Sequence, residues 1–280
     1  MTMITHITDA TTLHNGITMP WLGLGLLYAP EGEAVENAVR WALDAGYRHI
    51  DTAAIYANEA GVGRAIKQSG LPRQDVFVTT KLWNKDPGYD TALAAFDASL
   101  SQLDMDYVDL YLIHWPVAGK FQETWRALEA IYDSGRVRAI GVSNFLVHHL
   151  KDLLLTARIV PMVDQVEFHP FLQQPDLQAF CGEHRIQMEA WRPIMFGRVT
   201  EVPELVQLGE KYGRSPVQVT LRWMLQRGIV AIPKSAQQER IRSNANIFDF
   251  DMAPEDLKVI DGLDRQQRLG KDPDTFHFDS

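Results

Sequence analysis

Eight short, predominantly apolar runs recur along the chain: WLGLGL (21–26), YRHID (47–51), VFVTTKL (76–82), YVDLYLIH (107–114), VRAIGVS (137–143), PMVDQVE (161–167), IQMEAW (186–191) and GIVAIP (228–233). Most are apolar on both faces, as strands of a parallel sheet covered by helices must be. The stretches between them are amphipathic instead. Val35, Ala38, Val39, Ala42 and Leu43 repeat at helical spacing, as do Trp125, Leu128, Ile131 and Tyr132, so each set predicts a helix with one buried stripe. Gly46 and Gly135 follow these stripes, where a helix commonly ends on a left-handed residue.

Ahead of the first strand, Asn15-Gly16 between short β-type segments predicts a hairpin with a two-residue turn. Further helices are expected after the last strand, around 236–245 and 254–262. The alternation predicts an α/β fold, a (β/α)8 TIM barrel with an N-terminal β-hairpin and extra helices near the C-terminus; a doubly wound open sheet is the alternative. Apolar density is even and no linker interrupts it. One domain is therefore expected over 1–280, with the hairpin in 1–20 and a tail, 264–280, lying over the mouth of the barrel.

Composition narrows the partners. The chain has 280 residues, 46% of them hydrophobic and 22% charged, enough to bury a full core. Its 27 basic and 36 acidic side chains leave a net charge of −9, which repels a phosphate backbone or an anionic membrane surface, so neither nucleic acid nor membrane is an expected partner. Cys181 is the only cysteine, which rules out an intrachain disulfide and a cysteine-rich metal cage. The N-terminus has no basic leader or apolar run of secretory length, and no stretch approaches the roughly 18 apolar residues of a membrane span. A cytoplasmic monomer is expected.

Several familiar motifs fail. Gly23 and Gly25 are followed by Tyr28, and Gly61 and Gly63 by Ile66, where the dinucleotide fingerprint needs a small residue. GVSNF (141–145) carries Phe145 where a nucleophile elbow has its second glycine, and no P-loop occurs. His148 and His149 are neighbours on a predicted helix and are not expected to share a face, while Glu167 and His169 form a lone pair, so no metal site is expected.

In a barrel the chemistry is built at the C-terminal ends of the strands, and here those ends are unusually polar. Asp51 ends the second strand with Tyr56 five residues on; Lys81 ends the third and His114 the fourth; Ser143 and Asn144 end the fifth, Gln165 the sixth, Trp191 the seventh, and Lys234 with Ser235 the eighth. A tyrosine is a poor acid at neutral pH, but a neighbouring ammonium favours phenolate, and Lys81 is expected to lower the Tyr56 pKa in this way. Asp51 would hold that lysine charged, and a neutral His114 would orient a substrate oxygen. This set suits carbonyl reduction, in which hydride reaches carbon while a proton reaches oxygen.

A phenol and an amine cannot supply hydride, so a cofactor is required. Ser143, Asn144 and Gln165 suit a carboxamide, and the Trp191 ring offers a face for a flat nicotinamide. IPKSAQQERIRSN (232–244) places Lys234, Ser235 and Arg240 around a helix N-terminus, which favours a monophosphate and hence NADPH over NADH.

GYRHIDTAAIYANE (46–59), TTKLWN (79–84), DLYLIHWP (109–116), IGVSNF (140–145), DQVEFHP (164–170) and IPKSAQQERIRSN (232–244) together resemble the aldo-keto reductases, in family order across nearly the whole chain. The tail RLGKDPDTFHF (268–278) resembles the bacterial 2,5-diketo-D-gluconate reductase branch. The resemblance implies a catalytic set of Asp51, Tyr56, Lys81 and His114. It implies carboxamide contacts from Ser143, Asn144 and Gln165, a stacking Trp191, phosphate contacts from Lys234, Ser235 and Arg240, and Asn244 at the adenine. Three positions depart from the pattern: Arg192 stands where relatives carry a small residue at the pyrophosphate, Leu27 where many place a pocket aromatic, and Asp164 where Asn is usual.

Trp83 and Trp115 are expected to line the substrate pocket beside Leu27. Arg268 and Lys271 either greet an acidic substrate or stay solvated. The sequence thus predicts an NADPH/NADP+-dependent reductase of aldehydes and ketones, with sugar-derived diketo acids or small dicarbonyls as the substrate class. Two alternatives stand beside it: a Schiff-base lyase using Lys81, and a cofactor-binding barrel without catalysis.

Overall fold

The computed structural model describes residues 4–276, so the first three residues of the hairpin segment and the last four of the tail lie outside the described residues. In chain order the elements are β1 (Ala10–Thr12), β2 (Thr18–Pro20), β3 (Leu24–Gly25), α1 (Glu33–Asp44), β4 (His49–Asp51), α2 (Glu59–Gln68), β5 (Phe77–Leu82), α3 (Tyr89–Leu103), β6 (Val108–Ile113) and α4 (Phe121–Asp133). They continue with β7 (Val137–Ser143), α5 (Val147–Leu154), β8 (Val163–Glu167), α6 (Pro175–His184), β9 (Gln187–Trp191), α7 (Pro203–Tyr212), α8 (Pro216–Gln226), β10 (Val230–Ala231), α9 (Gln238–Ala245) and α10 (Pro254–Asp261).

Strands β3 to β10 form one parallel sheet in sequential order. Its two edges meet: bridges pair Leu22 with Ala231 and Gly25 with Lys234, and the Gly23 N–H donates to Ala231 O at 2.9 Å. A sequential order with joined edges is a (β/α)8 TIM barrel and excludes the open doubly wound sheet. The approach at the seam is close. A Cβ on Gly25 would stand 2.9 Å from Ile232 O, so the strands can touch there only over a glycine.

Helix ends follow the sequence signals. After α1, Gly46 takes φ +95°, its N–H bonds to Leu43 O, and the Tyr47 N–H reaches back to Ala42 O at 3.0 Å; these two bonds satisfy carbonyls that the helix leaves free. The stripe Val35, Ala38, Val39, Ala42 and Leu43 is buried against the barrel, as are Trp125, Leu128 and Ile131 of α4. Burying such a face, at roughly 1.5–3 kcal/mol per large side chain, is what holds each helix on the sheet.

The N-terminal hairpin forms, with one correction. Leu13 and Ile17 still pair, the Leu13 N–H donating to Ile17 O at 2.8 Å, so the loop is His14-Asn15-Gly16, three residues rather than two. Gly16 at φ +87° supplies the left-handed residue that closes such a loop. The hairpin covers the N-terminal end of the barrel, where Thr11 bonds Gln187 and Asn15 bonds Arg138 O. The C-terminal ends of the strands lie at the opposite rim. No helix among the described residues is long and apolar enough to cross a membrane.

Candidate active site

Side chains alternate along a strand, so His49 and Asp51 on β4, Thr79 and Lys81 on β5, and Gln165 on β8 with its register partner Glu189 on β9 share the inner face. Lys81 is fully buried. Its Nζ lies 2.6 Å from Asp51 Oδ1 and donates to the main-chain oxygen of Thr52 at 2.8 Å. Tyr56 enters from a single 3₁₀ turn, Ala54–Tyr56. Buried Asn58 anchors that turn through Leu26 O, Ala29 O and the Thr52 hydroxyl. The ammonium sits 5.2 Å from the Tyr56 ring centroid, and the His114 ring meets Tyr56 edge-on at 5.8 Å and Trp83 at 5.2 Å. The structure therefore brings Asp51, Tyr56, Lys81 and His114 together.

Burial pulls the Lys81 pKa down, but Asp51 and the phenol outweigh it and leave the group above the usual lysine value. Burial likewise pushes Asp51 up against the pull of Lys81. His114 is held well below its ordinary value by burial and by the Lys81 charge, so it is neutral. The Tyr56 expectation needs correction. Burial raises the phenol above its usual pKa, and Lys81 only reduces that rise. The resting group is a protonated phenol, because losing water costs the phenolate more than one ammonium restores.

The other half of the mouth is tightly bonded. Asn144, at φ +64°, donates to His114 O at 2.9 Å and to Ser143 Oγ at 3.1 Å, while its Oδ1 accepts the Trp191 indole N–H at 2.9 Å. Ser143 in turn donates to Gln165 O at 2.7 Å. These bonds fix the plane of the Trp191 ring. Arg192, also left-handed, stacks between Trp191 and Phe196 at 5.0 and 4.3 Å, and its Nε and Nη1 are buried with no hydrogen-bond partner among the described residues.

Past β10, Lys234 and Arg240 are exposed and make no ion pair among the described residues. Buried Ser235 bonds the Gln237 N–H at the start of α9, and Asn244 is buried on the same helix. Leu27, Trp83 and Trp115 are half-buried at strand exits on the same rim.

Residues 22–265 match the Aldo/keto reductase family. The chain belongs to that family. It is 52% identical to glyoxal reductase of Bacillus subtilis (strain 168), over 99% of this chain and all of that one, and 42% identical to methylglyoxal reductase DkgA of Escherichia coli (strain K12), over 94% and 96%. A solved structure, the Gox0644 D53A mutant in complex with NADPH, superposes with a TM-score of 0.92 at 40% identity, covering 97% of this chain and 99% of that one.

Two features of this aldo/keto reductase escape its sequence. Glu189 breaks an apolar run, but only the barrel shows that it meets Gln165. The contacts made by the tail, which was expected to lie over the mouth, are the other. Glu167 accepts the Leu269 and Gly270 amides at 2.8 and 3.0 Å, Gly270 packs on Trp191, and Phe276 meets Trp115 edge-on at 4.6 Å. Arg268 turns inward to Glu167, Asp272 and Gln174.

The expectation that His148 and His149 stay apart is also corrected. Their rings lie 4.0 Å apart, and both Nε2 atoms reach Asp274 Oδ1, at 2.9 and 3.3 Å. Donor atoms of all three lie within 4.8 Å of one another. His149 Nδ1 accepts the Leu146 N–H, so the neutral ring carries its proton on Nε2, which faces the Asp274 carboxylate of the tail.

Proposed function

We propose that this enzyme reduces small dicarbonyls and related aldehydes or ketones to alcohols with NADPH, Tyr56 giving the proton. One observation carries the reading: a buried ammonium clamped by Asp51 and Thr52 O lies against a protonated phenol and a neutral imidazole. The 52% identity to a glyoxal reductase supports a small dicarbonyl as substrate.

The residues fit the cofactor. Among the described residues Gln165 Oε1 has no partner, Lys234 and Arg240 have no counter-ion and Arg192 has two buried nitrogens to satisfy, while Trp191 presents a ring of fixed plane. Gln165, Ser143 and Asn144 would hold the carboxamide, Arg192 the diphosphate, Lys234, Ser235 and Arg240 the 2′-phosphate, and Asn244 the adenine. When bound, NADPH supplies the hydride.

The chain's own side chains supply the rest. His114 donates an N–H to the carbonyl oxygen and sets its direction. Tyr56, held protonated by burial, transfers its proton to that oxygen, and the Lys81 ammonium then stabilises the phenolate left behind. Asp51 keeps the ammonium in place. Trp83, Trp115 and Leu27 form an apolar wall, with Leu27 leaving room where an aromatic would fill it.

The geometry disfavours the Schiff-base alternative, because an ammonium bound by a carboxylate and a carbonyl is a poor nucleophile. NADPH consumption with glyoxal, methylglyoxal, diketo acids and aromatic aldehydes tests the proposal. Binding of NADPH without turnover across that panel would select the non-catalytic barrel, and a borohydride-trapped adduct on Lys81 would select the lyase.

A further inference from the structure

Beneath the site, the barrel interior holds a carboxyl group that the reaction above does not use. Glu189 is fully buried on β9, in register with Gln165 on β8. Gln165 Nε2 lies 2.8 Å from Glu189 Oε2 and 2.8 Å from Asp51 Oδ2. An amide nitrogen carries two hydrogens, and both are spent here on carboxyl groups. Asp51 decides which end of the amide faces it: its carboxylate already accepts from Lys81, so the group opposite must be a donor. Glu189 takes the second N–H, and Gln165 Oε1 remains as an acceptor with no partner among the described residues.

We propose that Glu189 is a positioning residue that locks Gln165 as a hydrogen-bond acceptor, so that the site selects a pyridine ring bearing a primary carboxamide over one bearing a ketone in its place. The inference rests on Gln165 bordering the cofactor site, as proposed above. The charged and titratable groups facing Glu189 are Asp51, Lys81 and His49, the last with Nε2 at 3.6 Å from Oε1. Burial, reinforced by Asp51, lifts the Glu189 carboxyl to about 8, while burial and Lys81 push His49 down to about 3. Near neutral pH burial thus keeps Glu189 mostly uncharged, with Oε2 facing the Gln165 amide nitrogen. An uncharged glutamine can take the same accepting role.

The test measures affinities of the full-length protein, without turnover, for NADP+ and for its 3-acetylpyridine analogue, which keeps the carbonyl and replaces the amide nitrogen by a methyl group. One lost hydrogen bond predicts about tenfold weaker binding of the analogue to the wild type. Glu189→Gln should keep that ratio at pH 7. Glu189→Met and Glu189→Leu should shrink it to within about twofold, because the N–H that Glu189 held is then free to swing toward the acetyl oxygen while the other stays on Asp51. A merely structural role would weaken both ligands equally and leave the ratio unchanged.

A wild-type ratio near one would overturn the orientation, and it needs no variant to fold. An undiminished ratio in the Met and Leu variants would overturn the role of Glu189. Failure of NADP+ itself to bind would strike the cofactor assignment beneath it.

Discussion

Burial keeps the Tyr56 phenol protonated, and an ammonium sits 5.2 Å from its ring, as the proposed proton transfer requires. Tyr56→Phe should therefore leave NADPH affinity nearly unchanged and lower kcat by about 10² or more. A kcat within a few-fold of wild type would remove Tyr56 from the mechanism. Asp164 makes a second prediction at this scale. It is fully buried on β8, neither oxygen makes a well-formed hydrogen bond among the described residues, and burial drives its pKa well above the carboxylate range.

A carboxyl whose folded pKa is raised binds its proton more tightly when folded, so stability is greatest below the unfolded value near 4 and falls as pH rises toward the folded one. Asp164→Asn should add about 1 kcal/mol or more at pH 7 and little near pH 4, read from urea unfolding at the two pH values. Equal gains at both would show that ionisation is irrelevant. The polar residues at the strand ends were legible because each interrupts an apolar run. The sign of the Tyr56 shift was not legible, since it depends on how completely water is excluded.

At the scale of the element, α9 and the segment before it gather Lys234, Ser235 and Arg240 around one helix start, with the two cations exposed and unpaired among the described residues. Arg240→Ala should weaken NADPH about tenfold or more while leaving NADH nearly untouched, by equilibrium binding of each. Equal losses would place the phosphate elsewhere.

Elements themselves were largely readable, because apolar runs fix strands and Gly46 and Gly135 fix helix ends. The hairpin loop was not, since Asn-Gly serves two-residue and three-residue turns alike and pairing of Leu13 with Ile17 decides between them. His148 and His149 both face Asp274 of the tail, a contact between segments about 125 residues apart that no local pattern encodes.

For the whole molecule, a cylinder needs its first and last strands to meet, and these are the shortest, β3 and β10 having two residues each. Gly25→Ala would press a methyl group to 2.9 Å from Ile232 O, a backbone atom that cannot swing aside. A loss of about 1–3 kcal/mol is expected from chemical denaturation followed by circular dichroism, and an unchanged midpoint would mean the seam tolerates widening.

With so few ladder bonds the junction is where the barrel should breathe first, its amides taking up deuterium ahead of those in β5 to β7. Lys234 and Ser235 leave directly from that junction, so a dinucleotide gripped there would act as a staple across the opening. Cofactor binding would then slow exchange on both sides of the gap at once, and starvation for NADPH would leave the enzyme open to proteases along a single line.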